Sequence, residues 1–202
     1  MISDDKFKKA REVFLAHGGL MSTGEALNSG IHPRDLYALR DSGQIEKIER
    51  GLYRLSDLPP LSNPDLVPIA RKIPKGVICL ISALHFHDLT TQLPHEVYVA
   101  LPRNAEAPRL SYPPIRIFWF SGKAYSEGVD EHTIDDTLVK IYCIEKTIAD
   151  CFKYRNKLGH DVALEVLKGY FSQGKRKVDR ILYYAKICRV DRVMTPYIEA
   201  LI

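Results

Sequence analysis

Two groups of side chains in this 202-residue sequence have the types and spacing to do chemistry: acid and base groups over 145–155, and cations over 34–54 and 175–192. Glu145, Thr147, Asp150 and Arg155 fall on or beside one short helical segment, with Glu145 and Thr147 near its start, where negative charge and capping oxygens are favoured. They read as a structural network rather than a catalytic site. A metal-dependent nuclease needs an acid followed downstream by an acid-x-Lys pair that together hold the metal and activate water. The one acid-x-Lys run is Asp4-Asp5-Lys6, with no acidic residue upstream of it. No phosphate loop, G-x-S-x-G or H-E-x-x-H is found. His85 and His87 are two apart, which sends them to different faces of a helix, and His95 and His132 add no ligand spacing. Cys79, Cys143, Cys151 and Cys188 show no C-x-x-C and sit in apolar segments, as reduced core thiols do. The expectation is a protein that is not an enzyme, with no catalytic residue, metal or cofactor.

The cations suit a different chemistry. DNA is read by a helix whose outward side chains reach base edges, flanked by cations that hold phosphates. Arg34, Tyr37 and Arg40 on one helix, with Lys47, Arg50 and Arg54 on the following hairpin, could supply both. The plainer alternative is a set of solvated charges on a module used for protein contact. Residues 1–57 carry nine basic and nine acidic groups, so that alternative stands. Residues 151–202 carry eleven basic and five acidic groups, and most of the excess positive charge lies there. Lys175, Arg176, Lys177 and Arg180, with Lys186, Arg189 and Arg192, form a run that could contact nucleic acid or an acidic partner, or could be a solvated face. Tyr183 and Tyr184 could stack on bases, although aromatics at helical spacing usually belong to a core.

The elements that would position these groups follow from periodicity. Phe7, Ala10, Val13 and Phe14 mark a first helix from a cap at Ser3 to the His17-Gly18-Gly19 breaker. Ser22 and Glu25 have capping-box spacing and open a short second helix that ends at Ser29-Gly30. Pro33 opens a third, which buries Leu36 and Leu39 with Ile31 and ends at Gly43. Residues 44–55 read as a hairpin around Arg50-Gly51. Helix, helix, turn, helix, hairpin is the order of a winged helix-turn-helix over residues 1–57.

Three prolines at 58–64 mark a linker. Residues 65–202 read as an α+β domain with a helical C-terminal half: helices over 65–73 and 77–88, strands over 96–101, 115–120 and 137–144, then helices from Glu145 onward. No apolar run reaches membrane-spanning length and the N-terminus lacks the order of a secretory signal, so a cytoplasmic protein without membrane contact is expected.

The run ending in Arg50-Gly51-Leu52-Tyr53-Arg54, the segment Gly76 to Leu84, and above all Ile144-Glu145-Lys146-Thr147-Ile148-Ala149-Asp150-Cys151-Phe152-Lys153-Tyr154-Arg155 resemble the AbiEi-type antitoxins of abortive-infection systems. That resemblance implies a bacterial repressor that binds operator DNA of its own operon and neutralises a cognate nucleotidyltransferase-like toxin, with a role in antiviral defence. It carries no catalytic residues with it. A homodimer is compatible with the sequence. So is a stand-alone winged-helix transcription factor whose second domain senses a ligand or dimerises.

Overall fold

A computed structural model describes residues 4–174 and 177–202 of the chain. They form two compact units. The expected cap at Ser3 lies outside the described residues.

The first unit takes residues 1–74, 108–113 and 133–139. Its helices are α1 (Asp4–Ala16), α2 (Thr23–Asn28), α3 (Pro33–Asp41) and α4 (Leu66–Lys72), and its strands are β1 (Leu20–Ser22), β2 (Ile45–Glu49) and β3 (Leu52–Leu55). The local signals act as read. Ser22 Oγ accepts from the Glu25 amide at 3.2 Å while the Glu25 carboxylate accepts from the Ser22 amide at 2.7 Å, closing the capping box. Pro33 occupies the first turn of α3, where its missing N–H costs nothing, and His32 caps that helix by accepting from the Arg34 amide. Gly51 sits at φ +68°, the left-handed conformation the hairpin turn requires. Ala10 and Phe14 from α1, Ala26 from α2, Leu36 and Leu39 from α3, and Ile45, Tyr53 and Leu55 from the hairpin make one buried cluster. Full burial of a Leu or Phe contributes about 1.5–3 kcal/mol, so this cluster sets the angle at which α3 is presented.

Strand β1 is not foreseen by the sequence reading, since three residues are too few for alternation to register. It pairs antiparallel with β3, Met21 opposite Tyr53, making the hairpin a three-stranded sheet in the order β1-β3-β2. The segment 58–64 also differs from expectation. Leu58 packs on the first cluster, Leu61 joins Leu20, Leu52 and Val67 in a second, and the Ser62 amide and hydroxyl donate to Asp135 at 2.8 and 3.0 Å. This stretch is packed structure in the first unit, which continues through α4 to Pro74.

The second unit takes residues 75–107, 114–132 and 140–202. Strands β4 (Val77–Ile78), β5 (Val97–Pro102), β6 (Ile115–Phe120), β7 (Val129–Ile134) and β8 (Thr137–Tyr142) follow the order β6-β5-β4-β8-β7, with residues 133–139 of the last two falling in the first unit. β4 is antiparallel to β5 and parallel to β8, and β5 is parallel to β6. The helices are α5 (Leu80–Phe86), α6 (Lys123–Ser126), α7 (Ile144–Lys153), α8 (Arg155–Leu158), α9 (His160–Ser172), α10 (Val178–Cys188) and α11 (Asp191–Glu199). The helix expected over 77–88 is shorter than that: Val77 and Ile78 pair with Ala100 and Val99, and the helix opens only at Leu80. β-branched residues at a sheet position take the extended conformation that burial on two faces rewards. Ile148, Ala149, Cys151 and Phe152 of α7 are buried among α9, α10 and α11 side chains, including Val166, Leu167, Ile181 and Met194.

Candidate nucleic-acid interface

The packing of Leu36 and Leu39 inward leaves Arg34, Tyr37 and Arg40 on the exposed side of α3, three residues apart and therefore on one face. Tyr37 is 46% exposed, with the Arg40 guanidinium 5.1 Å from its ring centroid. Arg40 also donates through Nε and Nη2 to Asp41 at 2.9 and 2.6 Å. This hydrogen bond raises the guanidinium pKa and gives the exposed cation a local counter-charge. Among the described residues the Arg34 guanidinium has neither an ion-pair nor a hydrogen-bond partner. Lys6 of α1 reaches Asp35 at 3.1 Å, so the one acid on the first turn of α3 is covered.

The hairpin supplies fewer free cations than the sequence promised. A register shift between Lys47 and Glu49 breaks the two-residue alternation, leaving Glu46 and Lys47 both exposed and Glu49 buried. Lys47 and Arg50 stand in solvent, available to an anion. Arg54 does not. It is 7% exposed, pairs with Glu46 at 3.3 Å, and donates to the carbonyls of Leu58 and Pro59. Its place in the middle strand turns it inward, so it anchors the segment after the sheet and is withdrawn from the candidate phosphate contacts.

The tip of the hairpin is held by the rest of the unit. Thr23 donates its amide to the Gly51 carbonyl at 2.9 Å and Lys72 donates to the Arg50 carbonyl. Arg71 donates to the carbonyls of His17 and Leu20 and pairs with Glu25 at 3.5 Å. Glu49 accepts from the Ser111 and Tyr112 amides at 3.2 and 3.0 Å. Burial works against its charge, but the amides of Arg50, Ser111 and Tyr112 outweigh it and hold the carboxyl below the usual range. Sequence reasoning missed Arg71, Lys72 and Glu49 because their partners are far along the chain.

The second cationic run is partly committed elsewhere. Lys175 and Arg176 lie outside the described residues. Lys177 is exposed, its amide donating to the Tyr170 hydroxyl at 3.3 Å. Arg180 reaches Glu145 at 3.8 Å and Cys143 Sγ at 3.8 Å, and Tyr170 donates to the other oxygen of Glu145 at 3.0 Å. That guanidinium serves the start of α7. Tyr184 is buried and Tyr183 exposed, the latter donating to Glu127.

The acid and base groups around α7 form an internal network. Asp150 and Lys146, both 0% exposed, meet at 2.5 Å. The Cys188 thiol donates to the second Asp150 oxygen at 3.2 Å, and the Lys146 ammonium lies 4.2 and 4.9 Å from the ring centroids of Tyr142 and Phe120. Burial raises the Asp150 carboxyl in spite of that partner. Thr147 donates to the carbonyls of Tyr142 and Cys143, and Arg155 to that of Phe152. Lys146 went unremarked in the sequence, where one lysine among many carries no sign of burial. His87 and His132, distant in sequence, come to 6.4 Å between centroids, and among the described residues no group of three His, Cys, Asp or Glu side chains is arranged to hold a metal ion. The four cysteines are buried and unpaired. Among the described residues, no helix is long and apolar enough to cross a membrane.

No curated protein matches the chain. Residues 8–56 match a family described as transcriptional regulator, AbiEi antitoxin. The matched stretch runs from within α1 to the residue after β3, so it covers the three helices and the sheet that carry the exposed face of α3. Over residues 8–56 this chain is similar to the AbiEi antitoxin transcriptional regulators.

Proposed function

We propose that this protein is a winged-helix repressor that binds operator DNA of its own operon through α3, and that it is also the antitoxin of an abortive-infection pair whose toxin is nucleotidyltransferase-like. The observation that carries the reading is the exposed row Arg34, Tyr37 and Arg40 on the third helix of a module matching transcriptional regulators of this kind. Arg34 reads a base edge, with a guanine the natural target of its planar fork, while Lys47 and Arg50 hold phosphates beside it. The protein works by binding in the cytoplasm, as a monomer or homodimer, and catalyses nothing. The second unit supplies neutralisation, and the Lys146–Asp150 network serves its folding.

The test is a pair of cell-based readouts on the full chain. A reporter fused to the promoter upstream of its gene should be repressed by the wild type and derepressed by Arg34→Ala. Growth arrest caused by expressing the neighbouring gene should be relieved by the wild type and by Arg34→Ala alike. Relief of arrest with no repression by the wild type would remove the DNA-binding half of the proposal, and repression without relief would remove the antitoxin half.

A further inference from the structure

The second unit holds a cleft of about 590 Å³ whose lining includes four cationic residues, Arg103, Lys123, Lys153 and Arg189, with Ser121 and Gly122 between them. None of the described lining residues is acidic. The Asp150 carboxylate is fully buried and already engaged by Lys146 and by the thiol of Cys188, itself a lining residue. Lys123 shares its charge with Glu127 only across an exposed 3.5 Å pair. Like charges gathered in one concavity repel one another and focus a positive potential there, an arrangement that an anion relieves.

A second observation is independent of the charge. Arg189 closes α10 at φ 59° and ψ 42°, the left-handed conformation that helix ends ordinarily reserve for glycine. Arg189, which lines the cleft, therefore holds a backbone conformation that costs free energy in a non-glycine residue. A smaller cleft of about 280 Å³ shares Arg103, Ser121 and Gly122 with the first and adds Asn104, Phe120 and Tyr125. The two together offer cations on one side and an amide and aromatic wall on the other, within the size range of small-molecule sites.

We propose that these adjoining clefts bind a phosphorylated small molecule, its di- or triphosphate group held by Arg103, Lys123, Lys153 and Arg189 and its remaining part lying toward Asn104 and Tyr125. The site lies wholly in the second unit and does not rest on DNA binding by α3.

The experiment is calorimetric titration of the full-length protein with pyrophosphate and with ATP, using sulfate at matched ionic strength as control. Saturable binding of at least one phosphate probe is expected, with sulfate much weaker. Pyrophosphate binding as tightly as ATP means that the phosphates alone are read, and a tighter ATP means that the second cleft contributes; both support the site. Arg189→Gly removes the guanidinium while suiting the left-handed backbone, so its thermal transition should be unchanged or raised while binding weakens by about tenfold or more, the scale of one lost charge-assisted contact. Arg103→Gln should weaken binding similarly. Absence of saturable binding with both probes, sulfate binding as tightly as pyrophosphate, or unchanged affinity in both variants overturns the proposal.

Discussion

Removing the carboxylate of Asp150 should be among the most damaging single changes in the second unit, and the reason can be worked from geometry. In Asp150→Ala the Lys146 ammonium stays at a position with 0% exposure and loses the partner at 2.5 Å. What remains near it are the faces of Tyr142 and Phe120 at 4.2 and 4.9 Å, an attraction of roughly 0.5–2 kcal/mol that cannot replace the ion pair. Breaking one side of a buried pair costs about 3–5 kcal/mol. With a urea slope of about 1–3 kcal/mol/M, a loss of that size lowers the denaturation midpoint by roughly 1–5 M. Lys146→Met should cost a comparable amount by stranding Asp150. The double variant Lys146→Met with Asp150→Leu should cost much less than the two together, because it leaves no unpaired charge. The assay is urea unfolding followed by tryptophan fluorescence. The chain has one tryptophan, Trp119 on β6, so the signal reports on this unit. Additive costs in the double variant, or an Asp150→Ala cost below about 1 kcal/mol, would show that Lys146 escapes to water and would refute this reasoning.

Three further outcomes follow for the first unit. Ser22→Ala opens the capping box and should lower stability by about 1 kcal/mol, read as a reduced urea midpoint. Arg54→Ala should destabilise this unit by removing the buried donor of the Leu58 and Pro59 carbonyls, with any weakening of DNA binding disappearing once the folded fraction is accounted for by circular dichroism. Glu49 has a folded pKa below its ordinary 4.5, so its contribution is fully present above that value and is lost as pH falls through the folded pKa. The stability gap between wild type and Glu49→Gln, measured by thermal unfolding, should therefore be constant near neutrality and close on acidification below about pH 4.5, whereas a gap that widens there would contradict the sign.

What the sequence displayed clearly was whatever is decided within a few residues. Ser22 and Glu25, Pro33, Gly51 and the Leu36–Leu39 spacing each specify a local geometry, and α2, α3 and the β2–β3 hairpin follow from them. The exposure of Arg34, Tyr37 and Lys47 was legible on the same ground. Arg54 was not, because its burial depends on a third strand only three residues long and on carbonyls of a proline-rich stretch that reads as a linker. That stretch is packed because Leu58 and Leu61 have apolar partners, which three prolines do not preclude. The role of Lys146 was hidden for a related reason. An i,i+4 Lys–Asp pair on a helix looks the same in sequence whether water or a core surrounds it, and the aromatic rings that decide the matter come from β6 and β8.

Fluorescence anisotropy with the promoter duplex and a scrambled duplex of equal length measures whether α3 reads DNA sequence. The wild type should prefer the promoter, and Arg34→Ala should lose about 1–3 kcal/mol, roughly 5–150-fold, on the promoter while changing little on the scrambled duplex. Lys47→Ala and Arg50→Ala should weaken binding to both duplexes equally and reduce the salt dependence. Equal affinity of the wild type for the two duplexes, or an Arg34→Ala variant indistinguishable from wild type on the promoter, would contradict sequence reading by α3.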